Sequence, residues 1–200
     1  MPKLWRQTIQ AHRREVRDAI LDTTAALVAQ HGLRAVTMSQ IAGETGIGRA
    51  TLYKYFSGVE PILIAWHERH VTEHLEHLAS LRDQPGDVRT RLASVLEVYA
   101  LIAFERHQHL ADLRALVHQR EHVAGSERRL VDIVEGLLTE AVGVRAIRAD
   151  VPPGELAAFC VHALEAAGAM PSKGAARRLA TVVLDALDPD QAKRVRPAQP

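Results

Sequence analysis

The stretch Thr37–Phe56, TMSQIAGETGIGRATLYKYF, predicts two short helices joined by a glycine turn. Thr37 can cap the first of these helices, and Gln40 stands three residues later, which is the spacing of a capping box. Val36 before the cap and Ile41 beyond it are placed to form a hydrophobic staple. These short-range signals fix where the first helix begins.

Gly46 supplies the turn, because a residue without Cβ adopts positive φ at little cost. A second helix is predicted from about Arg49 to Tyr55. The residues expected to face inward are Ile41, Ala42, Ile47, Leu52 and Tyr55, and those expected to face outward are Arg49, Ala50, Thr51, Tyr53 and Lys54. Two short helices crossing at a tight turn are typical of a helix-turn-helix whose second helix enters a DNA major groove.

The outward residues have the chemistry that such a helix needs. The guanidinium of Arg49 matches the O6 and N7 acceptors of guanine. The hydroxyls of Thr51 and Tyr53 can donate to phosphates, and Lys54 adds a positive charge. Amide groups at the start of the first short helix also favour phosphate. The predicted DNA-binding residues are therefore Thr37, Ser39, Arg49, Ala50, Thr51, Tyr53 and Lys54.

The run GIGRATLYKYF, preceded by IAGETG and flanked by a long helix on each side, resembles the DNA-binding domain of the TetR family of transcriptional regulators. The resemblance spans about residues 13–66. It implies contacts to bases or backbone from Ser39, Arg49, Thr51, Tyr53 and Lys54. The sequence departs from the family at Val59, where a lysine often opens the next helix, so one phosphate contact is expected to be absent or supplied by the N-terminal arm.

Composition favours a folded, water-soluble protein. Hydrophobic residues make up 47% of the 200 residues, and the net charge is only +1. Residues 1–60 nevertheless carry eight Lys or Arg against five Asp or Glu, which suits a DNA-facing end. The single cysteine excludes an internal disulfide. No charge-free window is long enough for a transmembrane helix, so a cytoplasmic protein without a membrane partner is expected.

Helical periodicity over the whole chain predicts an all-α protein of about nine helices. Residues 1–60 are expected to form a three-helix DNA-binding domain, with a flexible arm over 1–12 and a first helix over about 13–31. Residues 61–187 are expected to form a helical effector-binding and dimerisation domain. A sixth helix is predicted over about 110–122, and residues 188–200 are expected to be a disordered tail.

The last two predicted helices have unusually apolar, alanine-rich faces. Small residues allow close approach of helices, and a pair of such faces at the end of a chain is most simply covered by a second copy. The resemblance also implies a homodimer. The predicted interface comprises Leu156, Phe159, Cys160, Ala163, Leu164, Ala167, Leu179, Val182, Val183 and Ala186.

The resemblance further implies a small-molecule cavity within the fourth to seventh helices. The candidate lining residues are Trp66, His70, His74, Tyr99, Phe104, Leu113, Val117, His118 and Leu137. Their low polarity favours an apolar or aromatic effector. A dimer would present two reading helices one turn of DNA apart, roughly 34–36 Å, and so favour a palindromic operator. Release of that operator by effector would make the protein a repressor.

Eleven histidines suggest two alternative functions. His70 and His74 are spaced i, i+4, so the fourth helix could make the regulator responsive to metal or to pH. The run His118–His122, HQREH, matches the H-x-x-E-H pattern of a small zinc hydrolase through His118, Glu121 and His122. No third ligand motif accompanies it, so the sequence predicts no catalytic residue, no metal site and no cofactor.

Overall fold

The computed structural model describes the backbone of residues 3–32, 35–109 and 122–189, and the side chains of residues 8–32, 35–106 and 125–189. Within these ranges the chain is helical and contains no strand, which confirms the predicted fold class. The helices are α1 (Lys3–His31), α2 (Met38–Thr45), α3 (Arg49–Tyr55), α4 (Val59–Arg82), α5 (Val88–His109), α6 (His122–Gly143), α7 (Pro153–Glu165) and α8 (Lys173–Ala186). A 3₁₀ turn, Ala166–Ala169, follows α7. The predicted helix over 110–122 falls almost entirely outside the described residues, as does most of the predicted tail.

The first helix begins earlier than its sequence pattern predicts. α1 starts at Lys3 and not near residue 13, so residues 3–12 are helical and do not form a separate arm. The reason is that residues 3–31 contain neither glycine nor proline, and nothing interrupts the helical hydrogen bonding. Gly32 ends the helix at φ +79°, and its N–H donates to the Val28 carbonyl at 2.9 Å. This left-handed ending is the one that the sequence predicts.

The described chain divides into two compact units, the first ending at His70 and the second beginning at Val71. The sequence-based boundary, residue 60, lies earlier. The difference arises because Ile62 and Ala65 of α4 are buried in the first unit's core. The other buried members of that core are Ile20, Leu21, Leu27, Val36, Met38, Ile41, Ala42, Leu52 and Phe56. α4 therefore completes the domain that carries α2 and α3.

The second unit has its own apolar core, built from α5, α6, α7 and α8 together with the C-terminal half of α4. Ala100, Ala141 and Ala157 have no exposed surface, and these small side chains let neighbouring helices approach closely. α4 supplies Leu75 and Leu78 to this core. Among the described residues, none of the helices combines the length and the apolar composition of a membrane-spanning segment.

Candidate nucleic-acid interface

The start of α2 is held by a reciprocal pair of hydrogen bonds. The backbone N–H of Thr37 donates to Oε1 of Gln40 at 2.9 Å, and the N–H of Gln40 donates to the Thr37 hydroxyl at 3.3 Å. The predicted capping box is therefore confirmed. Val36 and Ile41, the predicted staple, are both buried in the N-terminal core. Together these contacts fix the direction in which the chain enters the motif.

The turn after α2 depends on a left-handed glycine. Gly46 has φ +70°, and its N–H donates to the Gly43 carbonyl at 3.2 Å. The N–H of Ile47 donates to the Ala42 carbonyl at 3.1 Å, which completes a Schellman ending. Ile47 is half-buried and packs on the N-terminal core. α3 consequently begins at Arg49, with only Ile47 and Gly48 between it and Gly46.

α3 is anchored by one side chain and exposes most of the others. Leu52 is completely buried, and Tyr55 is half-buried against the same core. All the residues predicted to face outward are exposed: Arg49, Ala50, Thr51, Tyr53 and Lys54. We refer to these five as the outer face of α3. Tyr53 is 49% exposed, unusually high for a large aromatic side chain in a folded domain.

The two remaining predicted DNA-binding residues lie at the start of α2. Thr37 and Ser39 are exposed, whereas Met38 between them is buried. The Thr37 hydroxyl is already engaged with Gln40, donating to Oε1 at 2.9 Å. Its role in the structure is therefore that of a helix cap, while Ser39 lies on the outer side of the first helical turn. Ser39 and the outer face of α3 are therefore both open to solvent.

A basic surface on α1 was missed by sequence reasoning. Gln10, Arg13, Arg14 and Arg17 of α1 line an open cleft of about 610 Å³ together with Lys54 and Tyr55 of α3. We call this the basic cleft. The Arg17 guanidinium lies 5.4 Å from the centre of the Phe56 ring, a cation–π distance. The signal in the sequence was the i, i+3, i+4, i+7 spacing of these α1 residues, which places all four on one helix face.

The predicted effector-pocket residues fall in two separate cores. Trp66 packs on the N-terminal core and makes an edge contact with the His70 ring, with ring centres 4.3 Å apart. Tyr99 and Leu137 are buried in the C-terminal core, and Phe104 packs against it. Burial raises the pKa of Tyr99 to about 12. Trp66 and His70 therefore belong to the N-terminal unit, and Tyr99, Phe104 and Leu137 to the C-terminal unit. Leu113, Val117 and His118 lie outside the described residues.

Half of the residues predicted for the dimer face are buried in the chain's own core. Five of its members are buried in the C-terminal core: Leu156, Cys160, Leu164, Ala167 and Val183. The apolar stripes of α7 and α8 are wide enough for one side to pack inward and the other to remain outside. Phe159 is 47% and Val182 is 63% exposed. Ala163, Leu179 and Ala186 are partly covered beside them.

The histidines do not form a metal site among the described side chains. No group of three or more His, Cys, Asp or Glu residues in that part of the chain is placed to hold a metal ion. His70 and His74 on α4 are both partly buried. The zinc-hydrolase pattern at His118, Glu121 and His122 falls outside the described side chains.

Comparison with known proteins gives a family-model match to the N-terminal unit and a longer match to a relative. The family model for bacterial regulatory proteins of the tetR family matches residues 20–65. A fatty acid metabolism regulator protein from Bacillus subtilis is 23% identical over 128 residues, which cover 62% of this chain and 66% of that protein. The match thus spans just under two thirds of the relative's length.

Solved structures match over a larger part of the chain. A TetR/AcrR-family transcriptional regulator from Thermobifida fusca has a TM-score of 0.69 at 20% identity, covering 86% of this chain and 95% of that one. FadR from Bacillus subtilis, solved with stearoyl-CoA, has a TM-score of 0.60 at 19% identity, covering 84% and 96%. The matched residues 20–65 include the capped α2, the Gly46 turn and the outer face of α3. Residues 20–65 thus match the tetR family of bacterial regulatory proteins, and the described chain shares the fold of solved TetR-family regulators.

Proposed function

We propose that this protein is a DNA-binding transcriptional regulator whose α3 reads a duplex through its major groove. The observation that carries the proposal is the outer face of α3, which is exposed along its length and held by the buried Leu52 beneath it. A helix of this kind fits the width of the major groove. Arg49 is the proposed base reader, since its paired donors match guanine. Tyr53, Lys54 and Ser39 are the proposed phosphate contacts.

A second copy of the chain is the proposed partner of the C-terminal unit. Phe159 and Val182 expose large apolar side chains on neighbouring helices α7 and α8. A two-fold pairing through this face would cover both and would present two reading helices to a palindromic operator. Sedimentation of the F159E/V182E variant tests this: dimers of the wild type should give way to monomers. An unchanged dimer would remove this face from the interface.

A small apolar molecule is the proposed effector, with repression as the proposed sense of regulation. The C-terminal core is built from aliphatic side chains together with Tyr99, and a ligand bound among them would be apolar and not a sugar phosphate. FadR from Bacillus subtilis, with a similar fold, was solved with stearoyl-CoA. α4 supplies residues to both cores, so a ligand that changes the position of α4 would change the affinity for DNA by linkage. No enzymatic activity is proposed.

Selection of bound duplexes from a random pool tests the DNA-binding proposal directly. The wild-type protein should enrich a palindromic sequence. The R49A variant should lose about 1–3 kcal/mol of binding free energy and relax the preference at one base pair of each half-site. R129A is the matched control, because Arg129 is exposed on α6 in the other unit. If the wild type enriches no sequence, the proposed function is wrong.

Effector release is then measured on the selected duplex. Long-chain acyl thioesters and apolar aromatic compounds should lower the affinity for that duplex, while sugar phosphates should leave it unchanged. The expected shift is tenfold or more for a true effector, corresponding to a coupling free energy of about 1.4 kcal/mol. If only polar metabolites release the duplex, the proposed class of effector is wrong while the DNA-binding proposal still stands.

A further inference from the structure

The basic cleft lies directly beside the outer face of α3, and one residue belongs to both. Lys54 is on the outer face of α3, and it also lines the cleft formed with α1. Arg13 and Arg14 are exposed on α1, so the cleft presents positive charge that is not used to hold the fold. The cation–π contact of Arg17 with Phe56 ties this edge of α1 to the end of the motif. The cleft is therefore continuous with the proposed reading surface.

The acidic residues of α1 are engaged with other partners. Asp18 and Asp22 both pair with Arg69 of α4, so that guanidinium compensates their charge. Glu15 lies 3.8 Å from the imidazole of His12. None of these carboxylates lines the cleft. An anion entering the cleft would meet three guanidinium groups and an ammonium group, with one tyrosine and one glutamine as neutral neighbours.

We infer that the basic cleft binds the sugar–phosphate backbone of the same duplex that α3 reads, outside the base pairs contacted by Arg49. The inference rests on the proposed function and assigns residues to it that the motif does not include. Arginine and lysine side chains neutralise phosphates without reading sequence, and they fix the register of a protein on DNA.

The test compares two double variants that each remove two adjacent, exposed arginines. R13A/R14A removes charge from the basic cleft, whereas R128A/R129A removes the same charge from α6 in the other unit. Affinity for the selected duplex is measured between 50 and 300 mM salt. R13A/R14A should bind ~10–30-fold more weakly near physiological salt, and the slope of log K against log salt should be shallower by about 1.8 per protomer bound. R128A/R129A should match the wild type both in affinity and in the slope of log K against log salt.

A third variant, R13K/R14K, separates a phosphate contact from a structural role. Lysine keeps the charge, so most of the salt dependence should return, and the enriched sequence should be the same in all three variants. If R13A/R14A binds within twofold of R128A/R129A, or if its enriched sequence differs from that of the wild type, the inference is overturned. If the wild-type protein enriches no DNA sequence at all, the proposed function is wrong. Failure of the proposed function can therefore be distinguished from failure of the inference about the basic cleft.

Discussion

Arg69 of α4 donates a hydrogen bond from Nη1 to Oδ1 of Asp18 in α1 across 3.2 Å, although 51 residues separate them in the sequence. The same guanidinium also pairs with Asp22 one turn further along α1. Burial disfavours the charge on Arg69, yet its hydrogen bonds and Coulomb attraction to Asp22 and Asp18 outweigh that cost and raise its pKa. This cluster joins the first and last helices of the N-terminal unit.

Replacing Arg69 by glutamine should destabilise that unit. We expect R69Q to lower the free energy of unfolding by about 0.5–2 kcal/mol, because both ion pairs are partly exposed. The loss should shrink in 1 M salt, where screening weakens such pairs. Urea unfolding followed by tryptophan fluorescence reports this unit, since Trp5 and Trp66 both precede its end at His70. R82Q is the control, because Arg82 pairs only locally with Asp83; equal losses in both would contradict the prediction.

Two glycines in and after α2 should respond to alanine in opposite directions. G46A should cost about 1–2 kcal/mol, since Gly46 has φ +70° and an alanine there is strained. G43A should stabilise the protein by about 0.5–1 kcal/mol, because Gly43 is helical and a Cβ there meets nothing within 4 Å. Thermal or urea unfolding of the pair measures both. A G46A variant as stable as the wild type would show that the turn does not need its left-handed glycine.

Removing the hydroxyl of Tyr53 should weaken DNA binding without changing the preferred base sequence. Tyr53 is 49% exposed on the outer face of α3 and is assigned a phosphate contact. We expect Y53F to lose about 0.5–1.5 kcal/mol equally on the selected duplex and on its single-base variants. Fluorescence anisotropy over the series measures this. A loss confined to one base pair would instead make Tyr53 a base reader.

The single thiol should be unreactive in the folded protein. Cys160 has no exposed surface, and burial raises its pKa to about 12, so almost none of it is thiolate at pH 8. An aromatic disulfide reagent should react with less than a tenth of the thiol in the time in which the protein unfolded in guanidinium reacts completely. Rapid reaction of the native protein would mean that α7 opens readily or that Cys160 faces outward.

Acid should weaken the cap of α5. The pKa of Asp87 is lowered, chiefly because its carboxylate accepts the Thr90 N–H at 2.9 Å and also the Thr90 hydroxyl at 3.1 Å. A carboxyl whose pKa is lowered by folding stabilises the protein above its unfolded pKa, about 3.9, and this contribution disappears as pH falls through the lowered value. The difference in unfolding free energy between wild type and D87N should therefore shrink from pH 5 to pH 3. If the unfolding free energies of wild type and D87N change in parallel with pH, the prediction is wrong.

Short-range signals were sufficient for the helix-turn-helix motif. The capping box of Thr37 and Gln40, the left-handed Gly46 and the alternation of the buried Leu52 with its exposed neighbours all depend on residues within four or five positions of one another. Local backbone geometry decides such features before any packing does. The motif, its outward residues and the all-helical class could therefore be predicted from the sequence.

The faces of the longer helices were decided by packing between distant segments. Periodicity marks Phe159 and Cys160 alike as apolar positions of α7, but only the arrangement of α5, α6 and α8 buries Cys160 and leaves Phe159 exposed. In the same way, Arg13 and Arg14 become one wall of a cleft only because α3 lies beside α1. Sequence by itself determined the local conformation of the motif and its chemistry. Tertiary structure decided which face of each long helix is exposed to solvent, because the exposed face depends on which side chains are covered by segments distant in the sequence.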